Sequence, residues 1–343
     1  MAEGVWLEAA LNGPWTRQRQ PGIPVTRAEI VEQAVACADA GAAIVHLHAY
    51  DEGSGRPSEA YDLYAPAFEA IRSRRDVICY PTVPMGARPS QGPAEARARY
   101  GVVERLGRAG LIEWSVVDPG SVTLATSAEL RDGEDGFLYA NSASDVRTGL
   151  ELCGQHGLVP SYAIYEPGFL RTGAALRAAV PGSPSPVYRF MFSTAFTFGL
   201  PPTEWALDSY LRLLDACDPG APWMVAGLGV ELDGLWDVAM ARAATCGSGS
   251  RMHPPAAPGR TRRWSPRPPA PSSRRAGSSP PPRRSAGPRS AAIRCRRRRP
   301  GGEPGGPHGV PRPEASQRLG SAVSPATSAS PDWCVWWTPG REW

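Results

Sequence analysis

Two histidines one residue apart, His46 and His48, close an apolar run, Ala42-Ala43-Ile44-Val45, that reads as a buried β-strand. Side chains two apart on a strand share a face, so both imidazoles leave the strand end in one direction. A nitrogen from each can then hold one divalent metal ion at roughly 2.0–2.1 Å. The same pair also reads as two core histidines, each donating to a backbone carbonyl. The surroundings favour chemistry: Asp51 follows closely, and the strand opens into the polar loop Glu52-Gly53-Ser54-Gly55. Strand ends that open into polar loops are where α/β proteins carry their active groups. The chain has three other histidines, His156, His253 and His308.

The elements that must position this pair alternate. Val5–Leu11 reads as a first strand, broken by Asn12-Gly13-Pro14. Thr26-Arg27-Ala28-Glu29 has capping-box spacing and opens a helix to Ala40, stopped by Gly41. After the histidine strand come a helix near 61–74, a strand at 77–80 closed by Pro81-Thr82, a helix over 93–109, and a strand at 112–117 ending in Asp118-Pro119-Gly120-Ser121. An insertion follows, with a short strand at 137–140. Ser144-Asp145 is placed to cap a helix running to about Gln155. Strands at 161–165, 187–192 and 222–226 then alternate with helices near 169–179, 203–216 and 232–243. Alternation of this kind specifies a parallel α/β fold. Seven βα units are legible; a (β/α)8 TIM barrel needs one more.

The net charge of +4 conceals two unlike parts. From Arg251 onward there are 18 arginines against four acids, and before it 19 against 29; lysine is absent. The first part, 1–243, is patterned like a catalytic domain. The second, 244–343, is basic, rich in Pro, Ser and Gly, and by composition is a disordered tail. Its run Arg296–Arg299 has the look of a nucleic-acid-binding segment. No apolar run reaches the roughly 20 residues of a membrane span, and no signal peptide is legible. The seven cysteines are scattered without a C-x-x-C, so a reducing cytoplasm is the expected home.

Four segments resemble the β-keto acid cleavage enzymes, whose founding activity is 3-keto-5-aminohexanoate cleavage: Pro21-Gly22-Ile23-Pro24-Val25-Thr26, Ala40-Gly41-Ala42-Ala43, His46-Leu47-His48 with Asp51, and Trp223-Met224-Val225-Ala226-Gly227-Leu228-Gly229. The resemblance spans roughly 4–243. It implies a Zn2+-dependent (β/α)8 barrel that condenses a β-keto acid with acetyl-CoA and releases acetoacetate and a new acyl-CoA. By resemblance His46 and His48 are the zinc ligands and Thr82 helps hold the substrate carboxylate. Asp118 and Ser121 occupy the substrate-facing loop after the fourth strand. Gly227 and Gly229 either approach the CoA phosphates or form a simple tight turn. The founding enzyme meets its substrate's ammonium with two glutamates; the matching positions are Trp15 and Ala163. An aminated substrate is thus not expected, and a neutral or apolar keto acid suits Trp15. Glu166 lies three positions beyond Ala163 and faces elsewhere. Homo-oligomers are expected of intact members.

The resemblance stops where the family continues with Gly-x-Val-Arg-Val-Gly-Leu-Glu-Asp, the eighth strand, which supplies a glutamate ligand, an acid–base aspartate and an arginine. Here the chain reads Ala244-Thr245-Cys246-Gly247-Ser248-Gly249-Ser250-Arg251-Met252-His253-Pro254. Combining the last base of each codon with the first two of the next, these residues are compatible with Asp-Val-Arg-Val-Gly-Leu-Glu-Asp-Ala-Pro. A frameshift near Ala243 accounts for this and for the Arg- and Pro-rich tail. Without an eighth strand, the first and seventh strands are expected to keep open edges. Zinc held by two imidazoles alone is expected to bind weakly. Two other readings remain: a zinc-dependent hydrolase on a TIM barrel, and a non-catalytic nucleic-acid binder working through its basic tail.

Overall fold

A computed structural model describes residues 5–14, 16–18, 20–246 and 334–339. The chain divides into a unit of Met1–Pro255 with Ser330–Trp343 and a second of Ala256–Ala329, which lies outside the described residues. So does the expected basic tail, apart from the end of the last helix and one strand. No helix among the described residues is long and apolar enough to cross a membrane.

The first unit follows the expected alternation. Strand β1 (Val5–Ala10) leads to α1 (Arg27–Asp39), β2 (Ile44–Leu47), a small hairpin of β3 (Tyr50–Asp51) and β4 (Arg56–Pro57), α2 (Tyr61–Arg74) and β5 (Ile78–Pro81). Next come α3 (Pro93–Arg99), α4 (Gly101–Ala109), β6 (Trp114–Val116), β7 (Val122–Leu124), α5 (Ser127–Arg131) and β8 (Phe137–Tyr139). The chain continues through α6 (Ala143–His156), β9 (Val159–Ile164), α7 (Pro167–Ala179), β10 (Val187–Phe192), α8 (Glu204–Cys217), β11 (Trp223–Gly227) and α9 (Leu235–Cys246), and β12 (Cys334–Pro339) follows.

Eight strands form one sheet in the order β5-β2-β1-β12-β11-β10-β9-β6. Strands β5, β2 and β1 run parallel, as do β11, β10, β9 and β6. The end strands β5 and β6 lie against each other, so the sheet curls back on itself. Outward-facing aromatic residues seat the helices: Phe190 stacks on Tyr210 of α8 at 4.9 Å and on Trp223 at 5.9 Å. Burying a side chain of this size stabilises the fold by about 1.5–3 kcal/mol.

One expectation is corrected. The edges of β1 and β11 do not stay open: β12 lies between them, antiparallel to both, with Val5–Ala10 paired residue for residue against Pro339–Cys334. An unpaired edge is a template for any extended segment, and Cys-Val-Trp-Trp-Thr-Pro is rich in strand-forming residue types. The eighth place is thus taken from the tail, in the reverse of the direction a (β/α)8 barrel requires.

Smaller differences have local causes. The helix over 93–109 is two, because Tyr100 leaves helical geometry between them with φ −90° and ψ 9°. Helix α6 is capped by Ser142 rather than Ser144: the Ser142 hydroxyl accepts the Asp145 amide while the Asp145 carboxylate accepts the Ser142 amide. The Thr26–Glu29 capping box at α1 has the reciprocal bonds that its spacing predicts.

Candidate active site

The loops that leave the C-terminal ends of the parallel strands enclose a cavity of about 310 Å³. His46 and His48 line it, with Thr82 after β5, Asp118 after β6, and Gly227 and Gly229 at the end of β11. Residues from six expected positions therefore converge, although they lie up to 183 positions apart in the chain.

Both imidazoles are buried, and their ring centroids are 5.3 Å apart, nearly perpendicular. Burial drives both toward the neutral form. It pulls His48 down to about 4, and it lowers His46 well below the usual histidine value with help from the positive charges of His48 and Arg189. His46 also packs its ring on Tyr80 at 4.6 Å, and its Nδ1 is buried without a hydrogen-bond partner. Neutral rings with an unspent buried nitrogen are the donors a zinc ion takes. The donor set is nevertheless short: among the described residues no group of three His, Cys, Asp or Glu side chains is placed to hold a metal, and a catalytic zinc takes three protein ligands. The residues present do not complete a zinc site.

Beneath the histidines lies a polar layer whose side chains come from five strands or strand ends. Glu8 of β1 is fully buried and accepts the Tyr80 hydroxyl at 2.6 Å; burial pushes its carboxyl up, against the opposing pull of Arg189 and Tyr80. Asp118 accepts the Ala163 amide at 2.8 Å and the Tyr139 hydroxyl at 2.9 Å. Burial also raises Asp118, with Arg189 and these two donors pulling it back. Arg189 of β10 sits between the two carboxylates, 3.7 Å from Glu8 and 4.0 Å from Asp118. A buried carboxyl in the cavity wall whose hold on a proton is raised, as for Asp118, is suited to exchanging a proton with a substrate.

The other named positions divide. The Thr82 side chain lines the cavity while its hydroxyl donates to the Val83 carbonyl at 3.2 Å. Ser121 does not line it: its hydroxyl accepts the Asn141 amide at 2.9 Å and donates to the Asn141 carbonyl at 3.1 Å, joining the loop after β6 to the end of β8. Gly227 and Gly229 have a conformational reason to be glycine. A Cβ on Gly227 would stand 2.5 Å from the Val230 carbonyl oxygen, and Gly229 has φ +64°. Trp15 lies outside the described residues. Glu166 accepts the Gly199 amide at 3.1 Å and is not part of the cavity wall. His156 ends α6, away from the His46–His48 pair.

Sequence reasoning missed Asn12, Glu8, Tyr139 and Arg189. The signal for two of them was available, since Glu8 and Arg189 are charges inside otherwise apolar strands. Asn12 and Tyr139 carry no such mark.

The family described as beta-keto acid cleavage enzyme matches residues 4–251. A 3-dehydrocarnitine:acetyl-CoA trimethylamine transferase of Rhizobium meliloti is 38% identical over 88 residues, 25% of this chain and 29% of that protein. A 3-keto-5-aminohexanoate cleavage enzyme of Fusobacterium nucleatum is 25% identical over 67% of this chain and 75% of its own length. A 3-oxoadipate:acetyl-CoA acetyltransferase of Cupriavidus necator is 26% identical over 67% of this chain and 73% of its own. In fold, the chain resembles a solved ternary complex of ObcA with a C4-CoA adduct and oxalate, at 14% identity and TM-score 0.50, over 66% of this chain and 56% of that one. The chain thus spans less than a third of the first relative and little more than half of that structure. The chain belongs to the beta-keto acid cleavage enzyme family.

Proposed function

We propose that the cavity is built for acetyl-CoA-dependent cleavage of a β-keto acid. The observation that carries this reading is the convergence of His46, His48, Thr82 and Asp118 on one cavity in a chain of this family. Three relatives bear names that describe acetyl-CoA transfer or keto acid cleavage, which supports the same reading. In the reaction, the carbon between the carboxylate and the ketone loses a proton and attacks the acetyl-CoA carbonyl, whose bond to sulfur breaks to release the CoA thiolate. The thiolate adds to the original ketone carbon, the bond from that carbon to the central carbon breaks to leave the new acyl-CoA, and the central carbon takes back a proton. Acetoacetate and a new acyl-CoA result.

In this reading Asp118 takes the proton, since its carboxyl is buried, raised by that burial and part of the cavity wall. Thr82 orients the substrate carboxylate. Zinc, when bound, would polarise the ketone oxygen, with His46 and His48 as its donors. Because the donor set is incomplete among the described residues, zinc binds weakly to the chain as written and its turnover is low. We attribute this to a displaced reading frame beyond Ala243, supported by the ten successive codon junctions that fit the family's eighth strand. Sequencing the gene across that point tests the displacement. The activity is tested by assaying acetoacetate release from acetyl-CoA and a panel of β-keto acids, with the chain as written and with the frame restored. Absence of release from the restored chain would overturn the reading.

The hydrolase alternative has no support from the remaining described histidine, His156, which stands apart from the pair. The basic tail that would carry nucleic-acid binding lies outside the described residues. Binding lost on removal of 251–343 and weakened by salt would favour that alternative.

A further inference from the structure

Helix α3 turns one arginine inward. Ala96 and Tyr100 are buried, and Arg99, three positions after the first and one before the second, shares their face. Its side chain is only 8% exposed. The arginines around it stay exposed: Arg88 pairs with Glu95, and Arg97 and Arg108 pair with Glu104. The donors of Arg99 go to backbone instead. Its Nε donates to the Pro84 carbonyl at 2.9 Å and its Nη1 to the Ala140 carbonyl at 3.0 Å. Its Cζ stands over the Tyr139 ring, 5.8 Å from the centroid. Asp145 is 3.7 Å away, beyond direct hydrogen-bond length, and its carboxylate accepts from Ser142 and Ser90. The Nη2 of Arg99 is buried without a hydrogen-bond partner among the described residues. An unmade buried bond is unfavourable, so packing alone does not account for an arginine here.

The two carbonyls belong to opposite parts of the cavity. Pro84 is two residues beyond Thr82, in the loop that leaves β5, and Ala140 directly follows Tyr139 at the end of β8. The Ala140 amide also donates to the Gly86 carbonyl at 2.9 Å, so a backbone bond and a side chain tie the same two segments. Thr82, Met85 and Tyr139 line the cavity, and Arg99 stands behind them. The Tyr139 hydroxyl carries the connection onward, donating to Asp118 at 2.9 Å.

We propose, on the reading of this cavity as a keto acid site, that Arg99 is a positioning residue: it fixes the Thr82 loop against Tyr139, and through the Tyr139 hydroxyl it holds the Asp118 carboxylate in place. A flat guanidinium bonds two carbonyls and covers an aromatic face at once, whereas the compact ammonium of lysine has no matching fork. Asp118 also faces Arg189 of β10, the Ala163 amide of β9 and Tyr100 between α3 and α4. Tyr139 and the charge of Arg99 both favour its ionised form.

The titration of Asp118 tests this without any turnover. Aspartate is isotopically labelled at its carboxyl carbon in the full chain and followed by nuclear magnetic resonance, with Asp118→Asn identifying the signal. Arg99→Gln, checked for folding by near-ultraviolet circular dichroism, is expected to raise the Asp118 midpoint by about half a pH unit or more. Arg99→Lys keeps the charge without the fork and is expected to raise it less. In a Tyr139→Phe background the effect of Arg99→Gln is expected to shrink by about half or more, because the connecting hydroxyl is gone. A folded Arg99→Gln in which Asp118 titrates as in the parent overturns the assignment, and so does a shift of equal size with and without that hydroxyl. If Arg99→Gln does not fold, Arg99→Lys decides: a raised midpoint supports the assignment, and an unmoved one overturns it. If cleavage assays fail while these shifts hold, the proposed activity falls and the positioning by Arg99 stands. If cleavage is found and the shifts are absent, the reverse follows.

Discussion

Asn12 grips the backbone of His48 from both sides: its Oδ1 accepts the His48 amide at 2.8 Å, and its Nδ2 donates to the His48 carbonyl at 3.1 Å and to the Pro24 carbonyl at 3.0 Å. The residue after β1 thus fixes the strand end that carries the histidine pair. Asn12→Ala leaves these backbone groups without partners. The expected cost is about 1–3 kcal/mol in chemical denaturation, together with weaker metal binding in a frame-restored chain. Unchanged stability and unchanged metal affinity would show that the clamp does not position His48.

Tyr139 comes from the β7–β8 hairpin, and its hydroxyl reaches Asp118 at 2.9 Å. Removing this donor destabilises the ionised carboxylate, so Tyr139→Phe should raise the Asp118 carboxyl further. In the frame-restored chain the acid limb of the pH–rate profile should move to higher pH. The rate below that limb should fall by about tenfold for each unit moved. A profile that coincides with that of the parent chain would remove Asp118 from the proton-transfer role.

Glu59 lies between the β3–β4 hairpin and α2. Burial pushes its carboxyl up to about 7, against the opposing bond from the Tyr64 hydroxyl. Its ordinary value is 4.5, so between 4.5 and about 7 the folded chain holds a proton that the unfolded chain has released. The stability this represents is complete below 4.5 and is lost as the pH rises through about 7. Glu59→Gln should flatten the decline in thermal midpoint over that window. Parallel curves for the two proteins would contradict the assignment.

Strand β12 covers the facing edges of β1 and β11. Deleting 330–343 exposes both, so the shortened chain should melt at a lower temperature and self-associate more readily in analytical ultracentrifugation. An unchanged midpoint with a monodisperse shortened chain would mean that this pairing contributes nothing in solution.

The alternation of strands and helices was legible because apolar runs, caps and turn residues agree with one another over 5–243. The His46–His48 pair was legible because its spacing matches the strand period. Ser121 takes a different part: its place in the loop suggests the substrate, while in the fold its hydroxyl bonds the Asn141 backbone. Arg189 is visible as a single charge inside Val187–Phe192, but its place between Glu8 and Asp118 emerges only when the strands are assembled. Strand β12 could not be anticipated, since the composition around it is that of an unfolded tail, and an open edge some hundred residues earlier supplies the reason for it to pair.

His46 and His48, which line the cavity together, are the metal donors we propose for a frame-restored chain. The most direct test measures zinc content and acetoacetate release together in a frame-restored chain and in its His46→Ala and His48→Ala variants. Near-stoichiometric zinc and acetyl-CoA-dependent release are expected in the parent, with both lost in either variant. A metal-free parent that still turns over, or variants that keep both zinc and turnover, would contradict it.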